Sequence, residues 1–370
     1  MMTEIIRVAA EGAGAATGSR KALGIIELDR PRARNAINAS MRAGIAEAFP
    51  RYARDPNIYA VLIASAVPGV FSAGGDLREL AGLVESDLEG AKRLLAEKYA
   101  LVWLQECFSK PTVSLIDGLV MGNGVALTMY GTHRVAGERY EFAMPEAAVG
   151  CHPDDGLASV FARMPGQVGL YLALTGRRIG RADAFALGLV THCIAAARFE
   201  EIKAGLADAD PVDPLLDDRH EHPGDGDLSR RRELIETCFS APTLEEIVAR
   251  LDQGARRAGE DGAWCGAVLG DLGRRSPTAL KVIFRHVRGA EGLDLRETLA
   301  VDYRLACRLV EGHDFREGVR SVLKDKDNNP QWLPDRIETV DEVIVDGFFA
   351  PMPGEELGLP SREEMQAARV

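Results

Sequence analysis

The chain is short of basic charge: 44 lysines and arginines stand against 56 aspartates and glutamates, a net −12. A surface built to track nucleic-acid phosphates or anionic lipid is therefore disfavoured, and no nucleic-acid or membrane partner is expected. Cysteine pairing is missing too. The six cysteines, Cys107, Cys151, Cys193, Cys238, Cys265 and Cys307, contain no Cys-x-x-Cys, which argues against a disulfide scaffold or a zinc ribbon. No apolar run reaches the roughly 20 residues of a membrane span. No repeat is evident, and Met1-Met-Thr-Glu-Ile-Ile-Arg-Val8 lacks a basic-then-apolar leader. These absences predict a soluble, unprocessed protein of a reducing cytoplasm. What is present is an ordinary globular composition, 46% apolar and 27% charged over 370 residues, enough to bury a sizeable core.

Hydrophobic patterning predicts strands at Ile5 to Ala9 and Leu23 to Leu28, with Gly12-Ala-Gly-Ala-Ala-Thr-Gly18 as a hairpin turn rather than a dinucleotide loop. Ser40 reads as the N-cap of a helix over Met41 to Tyr52. Strand, glycine-rich turn and helix then follow twice: Ala60 to Ala64 before Phe71-Ser-Ala-Gly-Gly-Asp76, and Val113 to Ile116 before Met121-Gly-Asn-Gly124. Such a pattern predicts an α/β fold with crossover helices and a ligand beyond the carboxyl ends of the strands. From Gly156 the periodicity turns helical. The expected division is a core at 1–205 carrying the site, an acidic surface linker at 206–227, a helical region at 228–340 and a tail at 341–370.

Two acids draw attention to chemistry. Glu146 and Asp154 stand in Met144-Pro-Glu-Ala-Ala-Val-Gly-Cys-His-Pro-Asp-Asp-Gly156, a mostly apolar, proline-bounded stretch. Isolated carboxyls there are candidates for acid/base work, and the two glycine turns can each leave a backbone N–H unpaired at a shared point. In the structural alternative the acids make caps and the glycines merely turn the chain.

Leu28-Asp-Arg-Pro-Arg-Ala-Arg-Asn-Ala-Ile-Asn38, the two glycine turns, Phe142-Ala-Met-Pro-Glu146, Pro153-Asp154, Leu174-Thr-Gly176, Ser276-Pro-Thr278 and Glu311-Gly-His-Asp-Phe-Arg-Glu-Gly-Val319 together resemble the crotonase, or enoyl-CoA hydratase/isomerase, superfamily, in order and at family spacing. The resemblance implies a spiral of β-β-α units with a helical C-terminal region. It also implies an oxyanion hole made by the backbone N–H groups of Gly75 and Asn123. Gly74, Gly122 and His152 become candidate substrate contacts, Arg32, Ala33 and Arg78 candidate contacts to coenzyme A. The implied ligand is an acyl-CoA, with CoA part of the substrate and neither metal nor other cofactor required; homo-oligomers are possible.

A family hydratase uses two glutamates, and the first falls here at Ala126. The chain is nearer the branch that hydrolyses 3-hydroxyisobutyryl-CoA in valine breakdown, which keeps Glu146 and adds an acid at Asp154. Glu146 is then either a nucleophile giving a mixed anhydride or a general base on water. Departures are Asn123, where the family more often has glycine, and His152 and Asp155 around the second acid. An enoyl-CoA isomerase or atypical hydratase using Glu146 alone, and a crotonase-fold acyl-CoA binder without turnover, remain open alternatives. His220 and His222 read as linker residues rather than metal ligands, and His313-Asp314 as a helix cap.

Overall fold

The computed structural model describes residues 15–370. The expected strand at Ile5 to Ala9 and the start of the Gly12–Gly18 turn lie outside them. Ala15 onward is not a turn but strand β1 (Ala15–Arg20), paired antiparallel to β2 (Leu23–Leu28). The reversal falls at Lys21-Ala22, with Lys21 at φ 52°. Pairing along the edge of β2 overrides the weak strand preference of an Ala/Thr/Gly/Ser run. Helix α1 (Ala39–Arg54) follows, capped by Asn38 rather than Ser40: the Asn38 Oδ1 accepts from the Met41 amide at 3.0 Å. Either residue type suits that role, and the loop before it decides which one reaches the free N–H.

Three consecutive units then each give one strand to each of two sheets. The first is β3 (Ala60–Ser65) and β4 (Gly69–Ser72), followed by α2 (Leu77–Ser86) and α3 (Leu88–Glu106); the second is β5 (Thr112–Ile116) and β6 (Gly118–Met121), followed by α4 (Asn123–Met129). The third is β7 (His133–Ala136) and β8 (Glu141–Ala143), followed by a 3₁₀ turn at Glu146–Val149. Helices α5 (Leu157–Ala162) and α6 (Val168–Thr175) lead to β9 (Ile179–Gly180), α7 (Arg181–Ala186) and β10 (His192–Cys193). The larger sheet has the order β1-β2-β3-β5-β7-β10, parallel from β2 onward, and the smaller β4-β6-β8-β9, parallel through β8. Strands β4, β6 and β8, of three or four residues each, were not anticipated. They are too short for periodicity to show.

The acidic segment expected as a surface connection contains helix α9 (Val212–Asp217) after α8 (Phe199–Ala207). Val212, Leu215 and Leu216 are buried with Ile202, Leu206 and residues of β3, β5 and β7, so the segment covers one face of the larger sheet. The helical region follows as α10 (Arg232–Phe239), α11 (Leu244–Ala255), α12 (Glu260–Leu272), α13 (Pro277–Gly289), α14 (Leu295–Glu311) and α15 (His313–Val319). The expected tail at 341–370 carries the remaining helices, α16 (Glu342–Phe349) and α17 (Arg362–Ala367). Leu359, Met365 and Val370 are buried in a cluster with Leu80, Tyr99 and Phe315, and the Trp103 indole donates to the Pro360 carbonyl at 2.9 Å. Among the described residues no helix is long and apolar enough to cross a membrane.

In the smaller sheet Gly118 pairs with Gly69 at φ 153°, and a Cβ on Gly118 would lie 2.2 Å from the Gly69 carbonyl carbon. Gly118→Ala therefore has to part β4 from β6, at a cost of roughly 2–4 kcal/mol. Thermal unfolding of G118A checks this: a markedly lower Tm is expected, and an unchanged Tm contradicts the close approach.

Candidate active site

The register of the smaller sheet places three chain turns side by side. Leu119 pairs with Val70 on one side and Glu141 on the other, and Met121 with Ala143, so the residues after Ser72, Met121 and Ala143 leave the sheet at one end. Those residues are the Ala73–Asp76 turn, Gly122-Asn123 and Met144-Pro145-Glu146.

The first turn is held by the loop before α1. Asn35, fully buried, donates to the Phe71 carbonyl at 3.0 Å and the Ser65 hydroxyl at 2.8 Å, and the Ser72 hydroxyl donates to the Asn35 carbonyl at 2.8 Å. Ile37 forms a parallel bridge to Gly75: the Ile37 amide donates to Gly74 O at 2.8 Å and the Asp76 amide to Ile37 O at 3.0 Å. In such a bridge the Gly75 N–H points away from Ile37. No hydrogen bond from the described residues occupies it. The Gly74 N–H, by contrast, is spent on the Ser72 hydroxyl at 3.1 Å, so Gly74 shapes the turn, at φ 98°, without offering a donor.

Asn123 opens α4, and the first N–H of a helix has no partner within it. The left-handed residue is Gly122 at φ 50°, not Asn123, so the tolerance of asparagine for positive φ is not called upon. Its carboxamide lies across the first turn instead: a Cβ on Gly75 would be 3.3 Å from Asn123 Nδ2. A Cβ on Gly122 would stand 3.1 Å from Glu146 Oε1 and 4.0 Å from the Gly75 nitrogen. Glycine here keeps open a space that a carboxyl and a free amide both border.

Glu146 keeps partial exposure as a residue, yet its Oε2 is buried without a hydrogen-bond partner. Burial, followed by the charge of Asp154, pushes its pKa up to about 8. Asp154 lies deeper. Its Oδ2 accepts from the Lys98 ammonium and from the Tyr99 hydroxyl, the latter at 2.7 Å, both side chains coming from α3. Asp155, fully buried at φ 62°, has Oδ1 3.2 Å from Lys98 Nζ, an ion-pair distance without hydrogen-bond geometry. Burial and then Asp154 drive the Asp155 pKa well above the carboxylate range. For Lys98, burial alone would lower the pKa, but attraction to Asp154 and Asp155 outweighs it and the net shift is upward.

The acid-bearing loop is pinned from α14. Asp302 Oδ2 accepts from the Gly156 amide at 2.6 Å and Oδ1 bonds His286 Nε2 at 2.7 Å, with His152 Nε2 at 3.4 Å. Burial would raise the Asp302 pKa, but the contacts to His152 and His286 hold it below the usual carboxylate range. His152, 2% exposed, thus turns its ring edge to Asp302 as part of the wall and makes no contact that orients it toward a substrate. These three residues bring one ligand atom each within 4.8 Å of one another, though the short His286–Asp302 contact is that of a hydrogen bond.

Among the described residues, the remaining expected ones make no hydrogen bond or ion pair with Glu146 or Asp154. Arg32 is exposed and Ala33 half-buried in a 3₁₀ turn. Arg78, in the first turn of α2, donates to the Leu323 carbonyl at 3.0 Å beside Lys324, bordering a surface cavity with Ala81, Gly82 and Glu85. His220 and His222 each accept from a backbone amide through Nδ1, at 3.0 and 3.1 Å. Asp314 does not cap its own helix. It bonds the Ser276 hydroxyl at 2.5 Å and accepts from the Leu333 amide at 2.9 Å, joining three segments. Sequence reasoning missed Lys98, Tyr99, Asp302 and Asn35. The only signal was charge within apolar helix faces, at Lys98 and Asp302.

The sequence profile of the enoyl-CoA hydratase/isomerase family matches residues 23–349. The chain belongs to that family. Two solved structures superpose with a TM-score of 0.86 at 32% identity: a carnitinyl-CoA dehydratase from Mycobacterium thermoresistibile, over 93% of this chain and 98% of that one, and an enoyl-CoA hydratase from Rhodobacter sphaeroides 2.4.1, over 94% and 100%. Among curated relatives, 3-hydroxyisobutyryl-CoA hydrolase 1 of Arabidopsis thaliana is 34% identical over 94% of each chain. The mitochondrial 3-hydroxyisobutyryl-CoA hydrolase of Xenopus tropicalis is 35% identical over 91% of this chain and 88% of that one. The crotonase fold expected from the motifs is borne out by these matches.

The raised Glu146 pKa has a consequence for stability in this family member. Between about pH 4.5, where an unfolded glutamate titrates, and about 8, the folded chain holds more protons at Glu146 than the unfolded chain, so stability falls as pH rises through that window. Glu146→Gln removes the loss and is expected to stabilise by about 4 kcal/mol at pH 8, with no gain at pH 4. Urea unfolding at the two pH values checks this; equal gains at both would contradict it.

Proposed function

We propose that this protein hydrolyses the thioester of a short branched hydroxyacyl-CoA, 3-hydroxyisobutyryl-CoA first among them. The observation that carries the reading is the space beside Gly122, bordered by Glu146 Oε1 and the Gly75 amide, with Asp154 coupled to Glu146 from the same buried segment. Curated relatives named 3-hydroxyisobutyryl-CoA hydrolase, at 33–35% identity over most of the chain, support the same reaction. The inward position of α4 where a hydratase carries its other glutamate is Ala126, 4% exposed, so two-glutamate water addition lacks an acid.

The thioester oxygen sits against the Gly75 and Asn123 amides, which stabilise the oxyanion as the carbonyl carbon becomes tetrahedral. Removing one such donor costs roughly 3 kcal/mol of barrier elsewhere in enzymology. Glu146 in its ionised form, poorly solvated and beside another carboxylate, is a strong base. It takes a proton from water as the new C–O bond forms, and returns it to the sulfur as the C–S bond breaks. Asp154, held through Oδ2 by Lys98 and Tyr99, keeps Oδ1 for orienting that water. Coenzyme A enters as part of the substrate.

Incubation with 3-hydroxyisobutyryl-CoA and a thiol reagent is expected to release free CoA, with kcat/KM rising through about pH 8 as Glu146 ionises. Asp154→Asn should lower the rate at least about a hundredfold. Loss of enoyl absorbance from crotonyl-CoA without CoA release would favour the hydratase or isomerase alternative instead, and tight binding with no turnover the binder.

A further inference from the structure

Behind the acids lies a buried cluster of charge that the mechanism above leaves unassigned. A cavity of about 20 Å³ is lined by Arg42, Lys98, Gln105, Asn123 and Asp155 among apolar neighbours. Arg42, from α1, is 3% exposed, and its Nε and one terminal nitrogen have no hydrogen-bond partner; its nearest acid, Glu97, is solvent-facing at 4.0 Å. Both Asp155 oxygens are likewise buried without a hydrogen bond. Two cations, Arg42 and Lys98, thus face two acids, Asp154 and Asp155, while Glu146 has no cation in contact among the described residues.

We propose that Lys98 is a positioning residue: by bridging Asp154 to Asp155, with Arg42 beyond the cavity, it holds Asp154 as an oriented carboxylate and leaves Glu146 as the group that carries the proton. Three carboxyls converge on this site, and like charges so close cannot all ionise without a compensating cation. The geometry says which one is compensated. Lys98 Nζ contacts Asp154 directly and lies 3.2 Å from Asp155, and among the described residues no cation contacts Glu146. The upward shift of Glu146 follows the same division. Asp155 serves as the second anchor that fixes where the ammonium sits, so this charged residue beside the catalytic acid is part of the device rather than a contact to the acyl group. The groups facing Asp154 are Lys98 and Tyr99 from α3, Glu146, Cys151 and Asp155 from its own segment, Arg42 from α1 by way of Asp155, and Asp302 from α14 by way of Asp155 and Tyr99.

This inference rests on the hydrolase reading for its kinetic test. In Lys98→Met, kcat is expected to fall at least about tenfold with KM within about twofold. The acid limb of the kcat/KM profile, set by Glu146, should move to higher pH by about one unit, because the Lys98 charge favours ionised Glu146 through space and its loss leaves the neighbouring Asp154 carboxylate uncompensated. Asp155→Asn keeps Lys98 and removes no charge, because Asp155 holds its proton, so it should leave that limb in place while lowering kcat by loosening the ammonium, and adding it to K98M should lower kcat no further. A limb unmoved in K98M, or a double variant that adds the two losses, overturns the positioning role. If K98M does not fold, Lys98→Gln decides by the same limb. If the wild-type protein releases no CoA, the hydrolase reading fails, and the positioning role is then read by ¹³C NMR titration of the aspartate carboxyls. A resonance that titrates higher in K98M supports it, and titrations identical in wild type and K98M overturn it.

Discussion

The site exists because β4, β6 and β8 are parallel neighbours in one small sheet. Parallel pairing with Gly69 opposite Gly118 and Met121 opposite Ala143 sends three successive turns out of the same end. Each turn contributes something different: a free amide at Gly75, a helix start at Asn123, a carboxyl at Glu146. Sliding any of these strands by one residue would exchange its inward and outward faces and carry its turn out of reach. The glycines of the turns serve this approach, since a side chain at Gly122 would fill the space that Glu146 and the Gly75 amide share.

Around that geometry the protein concentrates acid in a place that excludes water, and the rest of the site is arranged to tolerate it. Buried carboxyls either acquire cations and donors or keep their protons. Asp154 takes the first course through Lys98 and Tyr99, and Asp302 through His286, His152 and the Gly156 amide. Glu146 takes the second. Neighbouring acids with opposite solutions to one electrostatic problem are what acid/base chemistry at neutral pH requires. The C-terminal helices matter for the same reason, because Asp302 on α14 holds the loop that carries Asp154 and Asp155.

Much of the fold was legible from residue pattern alone. Strands β2, β3 and β5 and helix α1 stand where the residue pattern placed them, because each is long or apolar enough to express its repeat. The two glycine turns and the Met-Pro-Glu segment were legible for a different reason: their residue types are ones the backbone needs there. Short strands β4, β6 and β8 escaped notice, as did the packing of α9 under an acidic stretch and of α17 against α3. In each case burial is supplied by a partner distant in sequence, and composition nearby says nothing of it.

The amino-acid sequence by itself determined which groups are available: two acids in an apolar segment, an alanine where a hydratase would have its second glutamate, and glycines able to turn tightly and leave amides free. Those are properties of residue type and local spacing. Only the tertiary structure decided which of the acids is compensated, because Lys98 stands 56 residues from Asp154, and Arg42 and Asp302 stand 113 and 147 residues from Asp155, each on a separate helix. Charge acts through space rather than along the chain, so which acid has a cation against it follows only from how those helices pack.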